Sequence, residues 1–209
     1  MLFCMQTIAG FCQKLKPYLA ENGKYLGLIN EAHEIVQKPT YCFIYKHDFG
    51  YWVRSKTYKE GYLSENGKPI LPCKYQKIRE WRDQKLFWVK EGGLWGLADP
   101  KTGKMIFKPQ FVAVYTIRGQ NAYVVTKQWL RGVIKSDGTF VIPTIYKTLE
   151  DSYKPCLLAR NQEGKYGYVS PKGKIQIPFV YKDARQFWRK KAKVTKDGKN
   201  WVIIDETGR

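Results

Sequence analysis

Five glycines recur along this 209-residue chain at an almost constant step. Gly27, Gly61, Gly96, Gly132 and Gly167 lie 34, 35, 36 and 35 residues apart, and Val202 stands a further 35 residues on. A proline follows each glycine in phase (Pro39, Pro72, Pro109, Pro143, Pro178), and an aromatic residue closes each segment (Tyr41, Tyr75, Phe111, Tyr146, Tyr181). This period constrains the fold more than any other feature. A unit of ~35 residues cannot bury an apolar face alone, so a chain made of such units must stack them.

Within a unit the pattern reads strand, turn, strand, turn, strand, link. Val53, Val89, Val124 and Val194 mark the first strand, and the anchor glycine lies on the second. The second turn is "ENGK" (65–68), "KTGK" (101–104), "SDGT" (136–139) or "PKGK" (171–174). Such turns demand positive φ, which glycine and asparagine accept. His33 occupies the same place in the first unit and is read as a turn residue of unusual φ. The proline ends the third strand or sits at an edge, because it has no ladder donor. The anchor glycine leaves room for a neighbouring backbone or ring. The Leu, Trp or Tyr before it (Leu26, Trp95, Tyr166, with Trp201 in the last copy) covers the adjacent unit.

The expected fold is therefore all-β: a tandem array of ~35-residue β-hairpin or three-stranded units over residues 17–209, with five full units and a truncated sixth. A solenoid or superhelix is favoured, and a propeller-like ring is the alternative. Residues 1–16 carry Leu2, Phe3, Met5, Ile8, Phe11, Cys12 and Leu15 near helical spacing, which predicts a short N-terminal helix capping the array. The unfinished hairpin at Arg209 offers an edge for another chain, so a homodimer is expected.

These residues resemble the WG-repeat family of bacterial proteins. The segment "QFWRKKAKVTKDGKNWVIIDETGR" (186–209) carries the resemblance through Phe187, Ala192, Val194, Gly198, Trp201, Ile204, Asp205 and Gly208. The resemblance covers residues 17–209 and implies a β-rich, non-catalytic repeat protein. Only Trp95–Gly96 keeps the literal pair. Glu60 and Arg131 put charge where the family has Trp, which predicts that these places are exposed or differently covered.

Charge carries the functional reading. Thirty-seven Lys and Arg oppose 18 Asp and Glu, giving a net charge of +19. Such an excess is best tolerated beside a polyanion or an acidic surface. Two basic clusters hold equivalent places in their units: Lys74, Lys77, Arg79, Arg82 and Lys85, and Lys182, Arg185, Arg189, Lys190, Lys191 and Lys193. Arg131 adds a charge between them. Lys191 and Lys193 share one face of a strand while Ala192 and Val194 share the other. Aligned units would turn the clusters into a stripe that neutralises phosphates without reading sequence. Interleaved aromatics can stack on unpaired bases.

The expected function is a cytoplasmic, non-enzymatic accessory protein that engages nucleic acid or a nucleic-acid-handling complex. A bacterial antiviral defence effector such as a CRISPR–Cas complex is one version. The alternative is a scaffold that meets an acidic protein surface without touching nucleic acid. No cofactor, metal, membrane or small-molecule substrate is expected. His47–Asp48 has no nucleophile marked beside it, and Asp99 and Asp205 are read as turn caps. The five cysteines, an odd number without a C-x-x-C pair, are read as free buried thiols.

Overall fold

The structure, a computed structural model, describes residues 14–47, 50–81, 86–117, 122–135, 137–151 and 156–209. Every regular element among them is a β-strand. The first sheet has six antiparallel strands in chain order: β1 (Lys16–Leu19), β2 (Leu26–Ile29), β3 (Ile35–His47), β4 (Gly50–Ser55), β5 (Glu60–Ser64) and β6 (Pro69–Tyr75). Three four-stranded meanders follow. They are β7 (Lys77–Trp81), β8 (Leu86–Glu91), β9 (Leu94–Ala98) and β10 (Met105–Phe111); β11 (Ala113–Thr116), β12 (Ala122–Lys127), β13 (Leu130–Lys135) and β14 (Phe140–Tyr146); and β15 (Thr148–Glu150), β16 (Leu157–Arg160), β17 (Tyr166–Val169) and β18 (Ile175–Tyr181). The last sheet holds β19 (Asp183–Ala184), β20 (Lys191–Thr195) and β21 (Val202–Asp205).

The expected three-strand unit is corrected by these sheets. What the sequence suggests is a link contains a further short strand (β7, β11, β15 or β19), which begins two residues after the closing aromatic. It is fixed by backbone bonds to its own unit: the N–H groups of Gln76, Val112, Lys147 and Lys182 donate to the carbonyls of Lys90, Thr126, Arg160 and Thr195. Among the described side chains, each such strand buries one residue, Ile78, Val114, Leu149 or Ala184. One inward residue is too little alternation to announce a strand. In β3 the two strands run on without a break, with a register shift between Tyr41 and Phe43.

The expected helix over 1–16 falls mainly on residues 1–13, outside the described ones. The rest of that stretch is not helical: Lys14 and Leu15 lie in no element, and Lys16 opens β1. Leu15 is buried, and its carbonyl accepts the Tyr51 hydroxyl at 2.8 Å.

The chain divides into two compact units. One comprises the described residues within Met1–Arg79, Val89–Glu91 and Asp99–Lys104; the other comprises those within Glu80–Trp88, Gly92–Ala98 and Met105–Arg209. In the first, Leu28, Ile44, Tyr51, Val53 and Leu63 form the core. In the second, three clusters run along the chain. Trp88, Trp95 and Phe111 pack on Val114, Val125 and Ile134. Val124, Val133 and Ile142 pack on Leu149, Leu157 and Ala159. Leu158, Tyr168 and Ile177 pack on Ala184, Ala192, Val194 and Ile204. Each sheet in this unit thus shares a core with the next, as stacked repeats require.

Two positions of the repeat explain its fixed period. A Cβ on Gly96 would lie 2.7 Å from the Phe107 carbonyl oxygen, and one on Gly167 would lie 2.8 Å from that of Ile177. The anchor glycine thus admits the backbone of its own closing strand, where the register shifts around the proline. The turn glycine faces the unit before it: Gly67 meets Val36, Gly103 meets Ile70, Gly138 meets Ile106, Gly173 meets Val141 and Gly208 meets Ile177. His33 holds the equivalent place at φ 62°, as its turn position implied. Ser, Asp or Asn side chains close these turns. Asp99 Oδ1 accepts from the Lys101 and Thr102 N–H groups, and Asp205 Oδ1 from Thr207 and Arg209.

Candidate binding face

The last sheet begins where Tyr181 is buried and Lys182 turns outward, its ammonium 3.4 Å from the Asp197 carbonyl oxygen. β19 then buries Ala184 and leaves Arg185 exposed. Residues 185–190 join β19 to β20, and the two-residue turn at their tip is closed by reciprocal backbone bonds between Trp188 and Lys191. Its tip residues, Arg189 and Lys190, sit at φ 46° and 66°. Positive φ costs a residue with a Cβ about 1–2 kcal/mol, so this geometry is held by the turn. Both cations are exposed, and Trp188 beside them is 65% exposed.

β20 alternates as the sequence indicates. Lys191 and Lys193 are exposed, while Ala192 and Val194 are buried against β17 and β18. On β21, Ile203 pairs with Lys193 and Asp205 with Lys191. Trp201 lies at the start of the strand, and the Arg185 guanidinium sits 5.2 Å from its ring centroid. Arg185, Lys193, Trp201 and Ile203 line an open depression of about 510 Å³. Asp183 lies 3.7 Å from Arg185. Asp197, between β20 and β21, accepts N–H donors from Lys199 and Asn200, which hold its carboxyl well below the ordinary carboxylate range.

The repeat shows what is unusual here. Ala159 opposes Gly167 in the preceding sheet, Val125 opposes Gly132 in the one before, and Val194 opposes Val202 in the last. Lys193 therefore stands where the two earlier sheets place Leu158 and Val124, both buried. Lys191 stands where they place Cys156 and Ala122, also buried. Ile203 is 59% exposed, while its equivalents Tyr168 and Val133 are fully buried. The face that elsewhere joins one sheet to the next is here basic, with Trp201 and Ile203 left among the cations.

The other sequence-predicted cations are placed differently. Lys74 lies 3.0 Å from Glu91, and this hydrogen bond raises its pKa. Lys77 lies 3.8 Å from Glu60. Arg79 is exposed on β7. Arg82 and Lys85 fall outside the described residues. Arg131 is half-buried; its Nη1 donates to the Leu149 carbonyl at 3.4 Å and lies 3.9 Å from Glu150. Carboxylates thus neutralise Lys74, Lys77 and Arg131 in part, while Arg189, Lys190, Lys191 and Lys193 gather on one sheet. Trp201 and Ile203 were missed as site residues because the repeat assigns both places to packing. The signal that finds them is Lys191 and Lys193 on the same face.

Glu60, expected to be either exposed or differently covered, is differently covered. It is 2% exposed, covered by Arg54 at 3.5 Å and by Lys77, and it accepts the Ile78 N–H. Cys42 corrects the expectation of buried thiols: it is exposed, Cys73 is half-buried and Cys156 is buried, while Cys4 and Cys12 lie outside the described residues. His47 lies on β3 opposite Gly50, and Asp48 is outside the described residues. No cluster of three or more His, Cys, Asp or Glu side chains fit to hold a metal, and no helix long and apolar enough to cross a membrane, occurs among the described residues.

Among solved structures, the chain is similar to the computationally designed Ika8 protein (11% identity, TM-score 0.35, 94% of this chain and 69% of that one). It is also similar to Hsv2 of Kluyveromyces lactis (11%, 0.37, 93% and 71%) and to the AfRom2 CNH domain (9%, 0.38, 92% and 68%). TM-scores this low say nothing about shape, partners or activity. No curated protein matches the chain. The model of the WG containing repeat matches residues 61–95, 95–127 and 166–199. With the same period continuing through Gly27, Gly132 and Trp201, the chain belongs to the WG-repeat family.

Proposed function

We propose that this protein is a non-catalytic binding scaffold that engages a polyanion, nucleic acid foremost, through the face of the last sheet bearing Arg185, Lys191 and Lys193. One observation carries the reading: Lys191 and Lys193 take places that the two preceding sheets fill with buried Cys156 and Leu158, and Ala122 and Val124. A following sheet of the same kind would have to bury two ammonium groups on that face, whatever precedes or follows this chain. Burying unpaired charge is costly, so the face is suited to solvent or to an anion. The net charge of +19 favours the anion. A nucleoprotein effector complex of a bacterium, a defence complex included, is the kind of setting such a scaffold fits.

Fluorescence anisotropy with labelled single- and double-stranded DNA and RNA, titrated with salt, tests this proposal. The expected result is binding at low salt whose logarithm falls linearly with log salt, by about 0.7–0.9 per phosphate neutralised. A protein that ignores all four nucleic acids at low salt contradicts it. The second reading is an acidic protein surface as partner. It is favoured by the exposed Trp188, Val202 and Ile203, which offer apolar contact area beside the cations.

A further inference from the structure

The depression on the last sheet combines features that a phosphate backbone alone does not use. Its lining includes an indole and an aliphatic side chain, Trp201 and Ile203, which are 40% and 59% exposed. It also includes a guanidinium and an ammonium, Arg185 and Lys193, with Lys191 two residues along β20 on the same face. Arg185 already lies against the Trp201 ring, 5.2 Å from its centroid. That cation–π contact sets the guanidinium over the ring and orders the indole. A volume of about 510 Å³ falls in the range of small-molecule sites and is too small for a duplex. In a duplex, moreover, the base faces are stacked on one another and unavailable to an indole.

We propose that this depression takes one unpaired nucleotide of a single-stranded nucleic acid. The base lies against Trp201 and Ile203, and the flanking phosphates meet Lys193, Lys191 and Arg185. The inference rests on the polyanion reading above and narrows it from any polyanion to strands with free bases. Base–aromatic stacking is sequence-tolerant, because every base has a π-face, so no sequence preference is expected. The Lys contacts add point charges without bidentate base reading.

The test uses the full chain and three probes of equal length and label: oligo-dT, oligo-rU and an abasic oligomer with the same phosphates. A duplex of matched charge is the fourth. At one salt concentration, oligo-dT and oligo-rU should bind about 5- to 100-fold more tightly than the abasic oligomer, the range that one stacked base supplies. Trp201→Ala should weaken oligo-dT by a similar factor without changing the salt slope. Trp201→Phe should restore most of the affinity, and Lys193→Glu should lower the slope. The abasic probe needs no variant, so a misfolded Trp201→Ala protein does not blunt the test. Equal affinity for abasic, duplex and single-stranded probes overturns the inference and leaves the polyanion reading standing. Absence of binding to all the nucleic-acid probes overturns both.

Discussion

The Glu60 carboxylate accepts a hydrogen bond from the backbone N–H of Ile78, 18 residues further on and in the strand that opens the next unit. Arg131, one residue before another anchor glycine, makes the complementary contact: its guanidinium donates to the carbonyl of Leu149, again 18 residues on. The place that the repeat gives to tryptophan is thus a tie to the following short strand, and a charged side chain can supply it. At Glu60 the tie is buried, with Arg54 at 3.5 Å. Glu60→Ala leaves a buried N–H without its acceptor and should destabilise by about 1–3 kcal/mol. Glu60→Gln, which keeps an acceptor, should cost less. Urea unfolding compares the two; equal midpoints for the wild type and Glu60→Ala contradict the tie.

The anchor glycine makes a sterically sharper prediction. A Cβ at position 96 would meet the Phe107 carbonyl oxygen at 2.7 Å and the Pro109 nitrogen at 2.8 Å. Both are backbone atoms and neither can rotate aside. Gly96→Ala should therefore cost about 1–3 kcal/mol, the usual range for overpacking. A melting temperature unchanged by Gly96→Ala would place β9 and β10 differently from the arrangement described.

Acid should loosen the turns. Hydrogen bonds from N–H groups and hydroxyls hold Asp99, Asp197 and Asp205 below the ordinary carboxylate range. A depressed folded-state pKa stabilises above the unfolded value of about 3.9. That stabilisation is lost as pH falls through the folded value. The melting temperature should hold from pH 7 to about pH 5 and decline below about pH 4. Asp197→Asn removes one such group, so its decline should be shallower. Parallel declines for both proteins would remove Asp197 from the account.

Thiol reactivity should separate the cysteines. Cys42 is exposed, while burial pushes the Cys156 thiol up to about 12. The thiolate is the reactive form, so alkylation at pH 8 should label Cys42 in the native protein and Cys156 only after denaturation. Peptide mapping by mass spectrometry reads both positions. Early labelling of Cys156 would show that the core of Leu158, Tyr168 and Phe187 opens readily.

Much of this fold is legible in the sequence because its units repeat the same steric demands. Gly61, Gly96, Gly132 and Gly167 must admit a backbone, and Gly67, Gly103, Gly138 and Gly173 must turn at positive φ, so all persist in phase. The short strands are not legible, since Leu149 or Ala184 alone cannot set up an alternation. The basic face was half legible. Lys191 and Lys193 were placed on one side of β20 by period two alone. Their partners Trp201 and Ile203 were hidden, because residues of the same type at the same repeat position, Trp95 and Val133, are buried. Only the neighbouring strand reveals which of two identical motifs faces outward.

Reversing charge on that face asks whether Lys191 and Lys193 meet phosphates. The salt dependence of single-stranded DNA binding is measured for the wild type and for the double variant Lys191→Glu, Lys193→Glu, with circular dichroism confirming the fold. Each lysine that meets a phosphate of a single strand contributes about 0.7 to the slope. Weaker binding and a log–log slope shallower by about 1.4 are expected in the variant. The same affinity and slope in both proteins would contradict it and return the face of the last sheet to ordinary solvated surface.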